Sequence, residues 1–84
     1  MSIFSDNVIP GYHGKIFTTD AVKEYDLNRV INRIKKIEGI KDVLINTTSL
    51  PVELTMHTTS IVAVKLIEDE VKLTGFHVIP KDLF

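Results

Sequence analysis

Two amphipathic segments, each closed by a glycine and flanked by β-type segments, constrain the fold of this chain more than any other feature. In the first segment, apolar residues recur at three- and four-residue steps and share one helix face: Leu27, Val30, Ile31, Ile34 and Ile37. Asp26 is the predicted N-cap of this helix, and Gly39 stands where a left-handed residue ends one. The pattern therefore predicts an amphipathic helix.

Four segments have the composition or alternation of strands. Residues 14–19 are rich in β-branched and aromatic side chains, residues 40–46 and 52–56 alternate apolar with polar ones, and residues 75–80 end at a proline. The loop 47–50 joins the two middle segments, which predicts a hairpin.

The segment from Ser60 to Leu73 fits two structures. Its β-branched run suits a buried strand, whereas a helix would place four apolar residues on one face: Ile61, Val64, Ile67 and Val71. Thr59 or Ser60 would cap that helix, and Gly75 would end it. Periodicity alone leaves both structures open.

The length of 84 residues predicts a single domain. We divide it into an N-terminal arm, residues 1–13, and a core domain, residues 14–84. The arm carries a Pro10-Gly11 turn signal. Its apolar residues predict that it docks on another surface: Ile3, Phe4, Val8 and Ile9.

Composition excludes several functions. The net charge of −1 argues against a nucleic-acid or membrane-surface partner. The chain lacks both a signal-peptide pattern and an apolar run of about 18 residues, so we expect a cytoplasmic protein without membrane insertion. It has no cysteine, which excludes disulfides and thiolate chemistry.

Two stretches resemble heavy-metal-associated domains, the copper and zinc chaperone modules. These are residues 34–46, with Glu38-Gly39-Ile40 before an alternating strand, and residues 71–76, with a glycine followed by an aromatic residue. The resemblance covers about residues 14–79. It implies a ferredoxin-like βαββαβ α+β sandwich, with four antiparallel strands and two helices on one face. It also implies that residues 60–73 are helical.

The resemblance places the family's Cys-x-x-Cys metal loop on residues 21–26. Lys23 then stands at the first cysteine position and Asp26 at the second. An ammonium group repels a cation, and one hard carboxylate does not replace two soft sulfur ligands. We therefore expect a degenerate loop, no metal at this place and no cofactor.

Other side chains offer an alternative metal site. Imidazole binds zinc, copper and nickel, and the expected topology brings His13 and His57 to one end of the sheet. Glu24 and Asp26 in the loop are a second pair, although two carboxylates fall short of the six to eight oxygens that Ca²⁺ takes. We favour surface histidines without a metal over either site.

Two surfaces are candidates for protein interaction. Arg29, Arg33 and Lys36 form a predicted basic stripe on the outer face of the first helix, and residues 68–70 give the second helix an acidic cluster, so the helix side of the domain would be divided by charge. Such a division of charge suits a complementary partner or a second copy of the chain. On the open face of the sheet, Phe17 and Leu44 are predicted to point outward, with Ile16 and Thr18 inward.

The sequence lacks the motifs of phosphate binding and nucleophilic catalysis, so we do not expect an enzyme. The resulting prediction is a non-catalytic, cysteine-free relative of the heavy-metal-associated domain that acts as a protein-interaction or regulatory module. The alternative is a metal-ion carrier or sensor with rebuilt histidine and carboxylate ligands.

Overall fold

A computed structural model describes residues 8–81 of the chain. Eight elements follow one another: β1 (Val8–Ile9), β2 (Gly14–Thr19), α1 (Glu24–Lys35), β3 (Ile40–Asn46), β4 (Val52–Thr58), β5 (Val62–Ala63), α2 (Val64–Lys72) and β6 (Val78–Pro80). Ile3 and Phe4, which we predicted to dock, lie outside the described residues.

The strands form two sheets. The larger has four strands in the order β3-β4-β2-β6, and each neighbouring pair is antiparallel. The smaller consists of β1 and β5, also antiparallel. The predicted mixed α+β class and the β3–β4 hairpin are confirmed, whereas the single sheet we expected is supplemented by a second one.

The second sheet resolves the ambiguous segment 60–73. Val62 and Ala63 pair with Ile9 and Val8 of the arm, and helix α2 begins directly afterwards at Val64. Thr59 and Ser60 therefore do not cap α2, because a strand separates them from its first turn. The strand and the helix that we considered for this segment are each confirmed in part, because a two-residue strand precedes a nine-residue helix.

The core lies between the helices and the larger sheet. Alternate residues of β4 are buried, as expected of a strand with one face on the core. Helices α1 and α2 pack on each other and cover the same core. The largest side chains with almost no exposed surface come from strands, helices and arm alike: Ile9, Phe17, Val30, Ile34, Val52, Leu54, Met56, Thr58, Ile67 and Val71.

The sequence pattern predicted the end of α1 correctly but not its N-cap. Its N-cap is Lys23, in an extended conformation and without a side-chain capping bond, so the predicted cap at Asp26 is wrong. Asp26 instead lies in the first turn, where a carboxylate is favoured by the helix dipole. Gly39, at φ 99°, adopts the predicted left-handed conformation after the helix.

Candidate protein-interaction surfaces

Residues 21–26, which we predicted to correspond to a Cys-x-x-Cys loop, lead into α1 and include its first residues. Lys23 is exposed and ends the extended segment before the helix. Asp26 is partly exposed, and its Oδ1 lies 3.8 Å from Nη1 of Arg29, one turn along the helix. The two residues at the predicted cysteine positions are thus an exposed ammonium group and a carboxylate that already has a cationic neighbour.

His13 and His57 lie at the same end of the sheet, because His57 pairs with Gly14 across β2 and β4. Their rings have different partners. Nδ1 of His57 lies 2.7 Å from Oδ1 of Asp42 on β3, whereas Nδ1 of His13 lies 3.0 Å from the Gly11 carbonyl oxygen. The fold brings the two residues near each other but commits each ring to a separate hydrogen bond.

The third histidine links the ends of two strands. The backbone N–H of His77 donates to Oδ1 of Asp20 at 2.8 Å, and its Nδ1 lies 3.2 Å from Oδ2. Partial burial raises the pKa of Asp20, but the hydrogen bonds from His77 outweigh it and lower the pKa below the ordinary value of 3.8. Asp20 therefore stays ionised and ties the start of β6 to the end of β2.

A metal centre needs several converging ligands. Across residues 8–81, no group of three or more His, Asp and Glu side chains stands close enough to hold a metal ion. Glu24 and Asp26, the carboxylate pair of the loop, have different surroundings, since Asp26 contacts Arg29 and Glu24 borders a surface hollow.

The side chains of β2 point to the faces of the sheet opposite to those that we predicted. Phe17 is completely buried on the core side, and Ile16 and Thr18 lie on the open side. The six residues of β2 carry apolar side chains at both odd and even positions, so alternation alone does not show which face of the strand is buried. Burial of the larger aromatic ring selects the face of Phe17. Leu44 is 57% exposed, as predicted.

The predicted basic stripe lies in a groove between the two helices. Arg29, Arg33 and Lys36 line it, together with Asn32, Leu73 and Thr74, and it encloses about 290 Å³. Nε of Arg33 donates to Glu70 on α2 at 2.8 Å. Arg29 donates to the Thr74 carbonyl oxygen at 3.0 Å. Arg33 and Glu70 therefore neutralise each other where the expected basic and acidic surfaces meet.

A second hollow was missed by the sequence analysis. It encloses about 450 Å³ between the start of α1 and the end of β3, and its walls are Val22, Glu24, Leu27, Asn28, Ile45 and Thr47. Val22 and Ile45 remain 61% and 42% exposed. The sequence signal was weak, because strand alternation places Ile45 on the same face as the buried Val43.

Comparisons with known proteins do not assign this chain to a family. No protein-family model matches it, and no curated protein matches it. The resemblance to heavy-metal-associated domains therefore remains a prediction. Neither α1 nor α2, the helices of residues 8–81, has the length and apolar content needed to cross a membrane.

Proposed function

We propose that this chain is a non-catalytic protein-interaction module, a cysteine-free relative of the heavy-metal-associated domain with a ferredoxin-like fold. The strand order β3-β4-β2-β6 and the helix that follows β2 support that fold. The observation that carries the function is the groove between α1 and α2, in which three cationic side chains surround an exposed apolar one.

The charges of the groove indicate the partner. Arg29, Arg33 and Lys36 supply three positive charges; Glu70 forms an ion pair with Arg33, and Asp26 lies 3.8 Å from Arg29. Leu73 in the same groove is 65% exposed. An acidic segment with an apolar residue matches this combination, because carboxylates complement the cations while the apolar side chain covers Leu73.

Selection from a displayed library of random peptides tests this function on the whole chain. We expect the selected peptides to be rich in Asp and Glu and to contain an apolar residue. Their affinity should fall as salt rises, because the attraction is between largely exposed charges.

Two neighbouring lysines provide the matched variants. Lys36→Glu places a negative charge in the groove and should weaken binding by about tenfold, equivalent to about 1.4 kcal/mol. Lys35→Glu makes the same change on an exposed residue outside the groove wall and should leave binding close to that of the unchanged chain. Equal binding by both variants, or selected peptides without acidic residues, would contradict the proposal.

A further inference from the structure

The last residues of β3 are not fully covered on the side that faces the core. Val43 and Ile45 are two residues apart and therefore lie on the same face of the strand. Val43 is buried in the core, whereas Ile45 is 42% exposed. The space beside Ile45 is the hollow of about 450 Å³ between the end of β3 and the start of α1. The hollow is therefore formed where the cover of the sheet ends.

The wall of the hollow is partly aliphatic, through Val22, Leu27 and Ile45. Leu27 belongs to the buried core, but Val22 is 61% exposed. An apolar chain lying against Val22 and Ile45 would be stabilised there, because its binding removes apolar surface from water. The volume also falls within the range of small-molecule sites, roughly 300–1,000 Å³.

The other residues of the wall are polar. Glu24 and Asn28 are one turn apart on α1 and share a helix face with Leu27, and Thr47 follows the end of β3. Their carboxylate, amide and hydroxyl oxygens all accept hydrogen bonds. An ammonium group has three N–H donors and no acceptor, so the wall offers one oxygen-bearing side chain for each donor.

Glu24 supplies the formal charge of the wall. Within residues 8–81, none of the ion pairs involves Glu24. Asp26, the other carboxylate of the first turn, lies 3.8 Å from Arg29. Lys23 precedes Glu24 but does not form part of the wall. The charge of the wall is therefore negative and complements a cation.

We propose that the hollow binds a primary alkylammonium group, with its aliphatic chain against Val22 and Ile45 and its ammonium group at Glu24. A free aliphatic amine and the lysine side chain of a peptide both carry this chemistry. The hollow shares no wall residue with the groove between the helices, so this inference does not rest on the function proposed above.

An amide-resolved NMR titration of the whole chain with pentylamine tests the site. We expect saturable shifts at the backbone amides around the hollow, in residues 22–28 and 45–47. Pentan-1-ol has the same chain without the charge, and pentanoate has the opposite charge. Both should bind about fivefold or more weakly than pentylamine. Methylamine should also bind more weakly, because it lacks the chain that contacts the aliphatic wall.

Two glutamates provide matched variants. Glu24→Gln keeps the size of the side chain and an acceptor oxygen but removes the charge, and it should weaken pentylamine binding by about fivefold. Glu38→Gln makes the same change at an exposed glutamate outside the wall and should leave the binding unchanged. Unchanged amide positions away from the substituted residue show that each variant is folded.

Three results would overturn the proposal: no saturable shifts around the hollow, binding of pentan-1-ol as tight as that of pentylamine, or equal weakening by both variants. A blocked Gly-Lys-Gly peptide then distinguishes the two sources of the amine. Tighter binding of the peptide than of pentylamine assigns the site to a lysine of a partner protein. Weaker binding of the peptide assigns it to a free aliphatic amine.

Discussion

Thr58, the last residue of β4, joins the N-terminal arm to the sheet. Its hydroxyl donates to the Pro10 carbonyl oxygen at 2.6 Å and accepts from the His13 N–H at 3.2 Å. Its backbone N–H donates to the His13 carbonyl oxygen, and its own carbonyl oxygen accepts from the Tyr12 N–H. A buried hydroxyl with this many partners fixes the turn of residues 10–13.

Tyr12 in that turn has a left-handed backbone, with φ of 60°, although its side chain is 83% exposed. Such a conformation costs about 1 kcal/mol or more for a residue with a bulky side chain. Tyr12→Gly removes this strain but makes the unfolded chain more flexible. We expect a net rise of up to about 1 kcal/mol in the free energy of unfolding, measured by urea denaturation.

Tyr25 is the matched control for this change. It is also exposed, at 73%, but it lies in helix α1. Tyr25→Gly should lower the free energy of unfolding by about 0.5 kcal/mol, because glycine disfavours a helix. A loss of stability in both variants would show that the turn does not strain Tyr12.

Phe17 shows the limit of prediction for a single residue. Its strand has Ile16 and Phe17 side by side, so the sequence is compatible with either phase. Helices α1 and α2 decide which face is covered, and the structure buries Phe17. Only the packing of distant elements carries this information.

At the scale of elements, Gly39 connects the end of α1 to β3 and supports the small sheet. A Cβ atom on Gly39 would lie 2.7 Å from both Oγ of Ser60 and Cγ2 of Val62. Gly39→Ala therefore adds a steric overlap to the cost of its positive φ. We expect it to lower the free energy of unfolding by about 3 kcal/mol, from about 1–2 for the backbone and 1–3 for the overlap.

A comparison with Gly75 separates the backbone cost of a positive φ from the cost of the steric overlap. Its φ of 91° is similar, but nothing lies within 4 Å of an added Cβ atom. Gly75→Ala should therefore cost only the backbone contribution, about 1–2 kcal/mol. Urea denaturation of both variants makes the comparison, and equal losses would contradict the close packing described for Gly39.

The ends of β2 and β6 are linked by the Asp20–His77 contact, which makes stability depend on pH. Because folding lowers the pKa of Asp20, its ionised form stabilises the fold above about pH 4, and that contribution is lost as the pH falls through the lowered value. Asp20→Asn keeps an acceptor for the His77 N–H but loses the charge. The stability difference between the unchanged chain and this variant should shrink on acidification.

Denaturant unfolding at several acidic pH values measures that difference. A difference that grows as the pH falls would show that the sign assigned to Asp20 is wrong. The side chains of both residues are more than half exposed, so we expect a small effect.

At the scale of the whole molecule, the described part of the arm, residues 8–13, contributes Ile9 to the core. Ile9 is 1% exposed and packs within the same buried cluster as the helices and the larger sheet. Ile9→Ala should lower the free energy of unfolding by about 2–5 kcal/mol through lost burial and an unfilled cavity. Ile61→Ala, at an isoleucine that is 66% exposed, should change it by less than about 0.5 kcal/mol.

Thermal or urea unfolding of the two isoleucine variants decides whether the arm stabilises the fold. Similar stability of both would mean that residues 8–9 contribute little to it. A large loss for Ile9→Ala alone would show that the packing of Ile9 contributes to the stability of the fold.

The elements whose signals are local could be predicted from the order of the amino acids. The periodicity of Leu27, Val30 and Ile34 predicted α1, and Gly39 and Gly75 predicted its end and that of α2, because helix faces and left-handed residues depend on neighbours along the chain. The β3–β4 hairpin followed from alternation in the same way.

Features that depend on contacts between distant residues became visible only in the folded chain. The tertiary structure paired Val62–Ala63 with the arm, buried Phe17, joined Arg33 to Glu70 and formed the hollow beside β3. Each of these features joins segments far apart in sequence, and the free energy that selects them comes from burial and ion pairing in the folded chain. A local sequence pattern does not show which distant surface will pack against it.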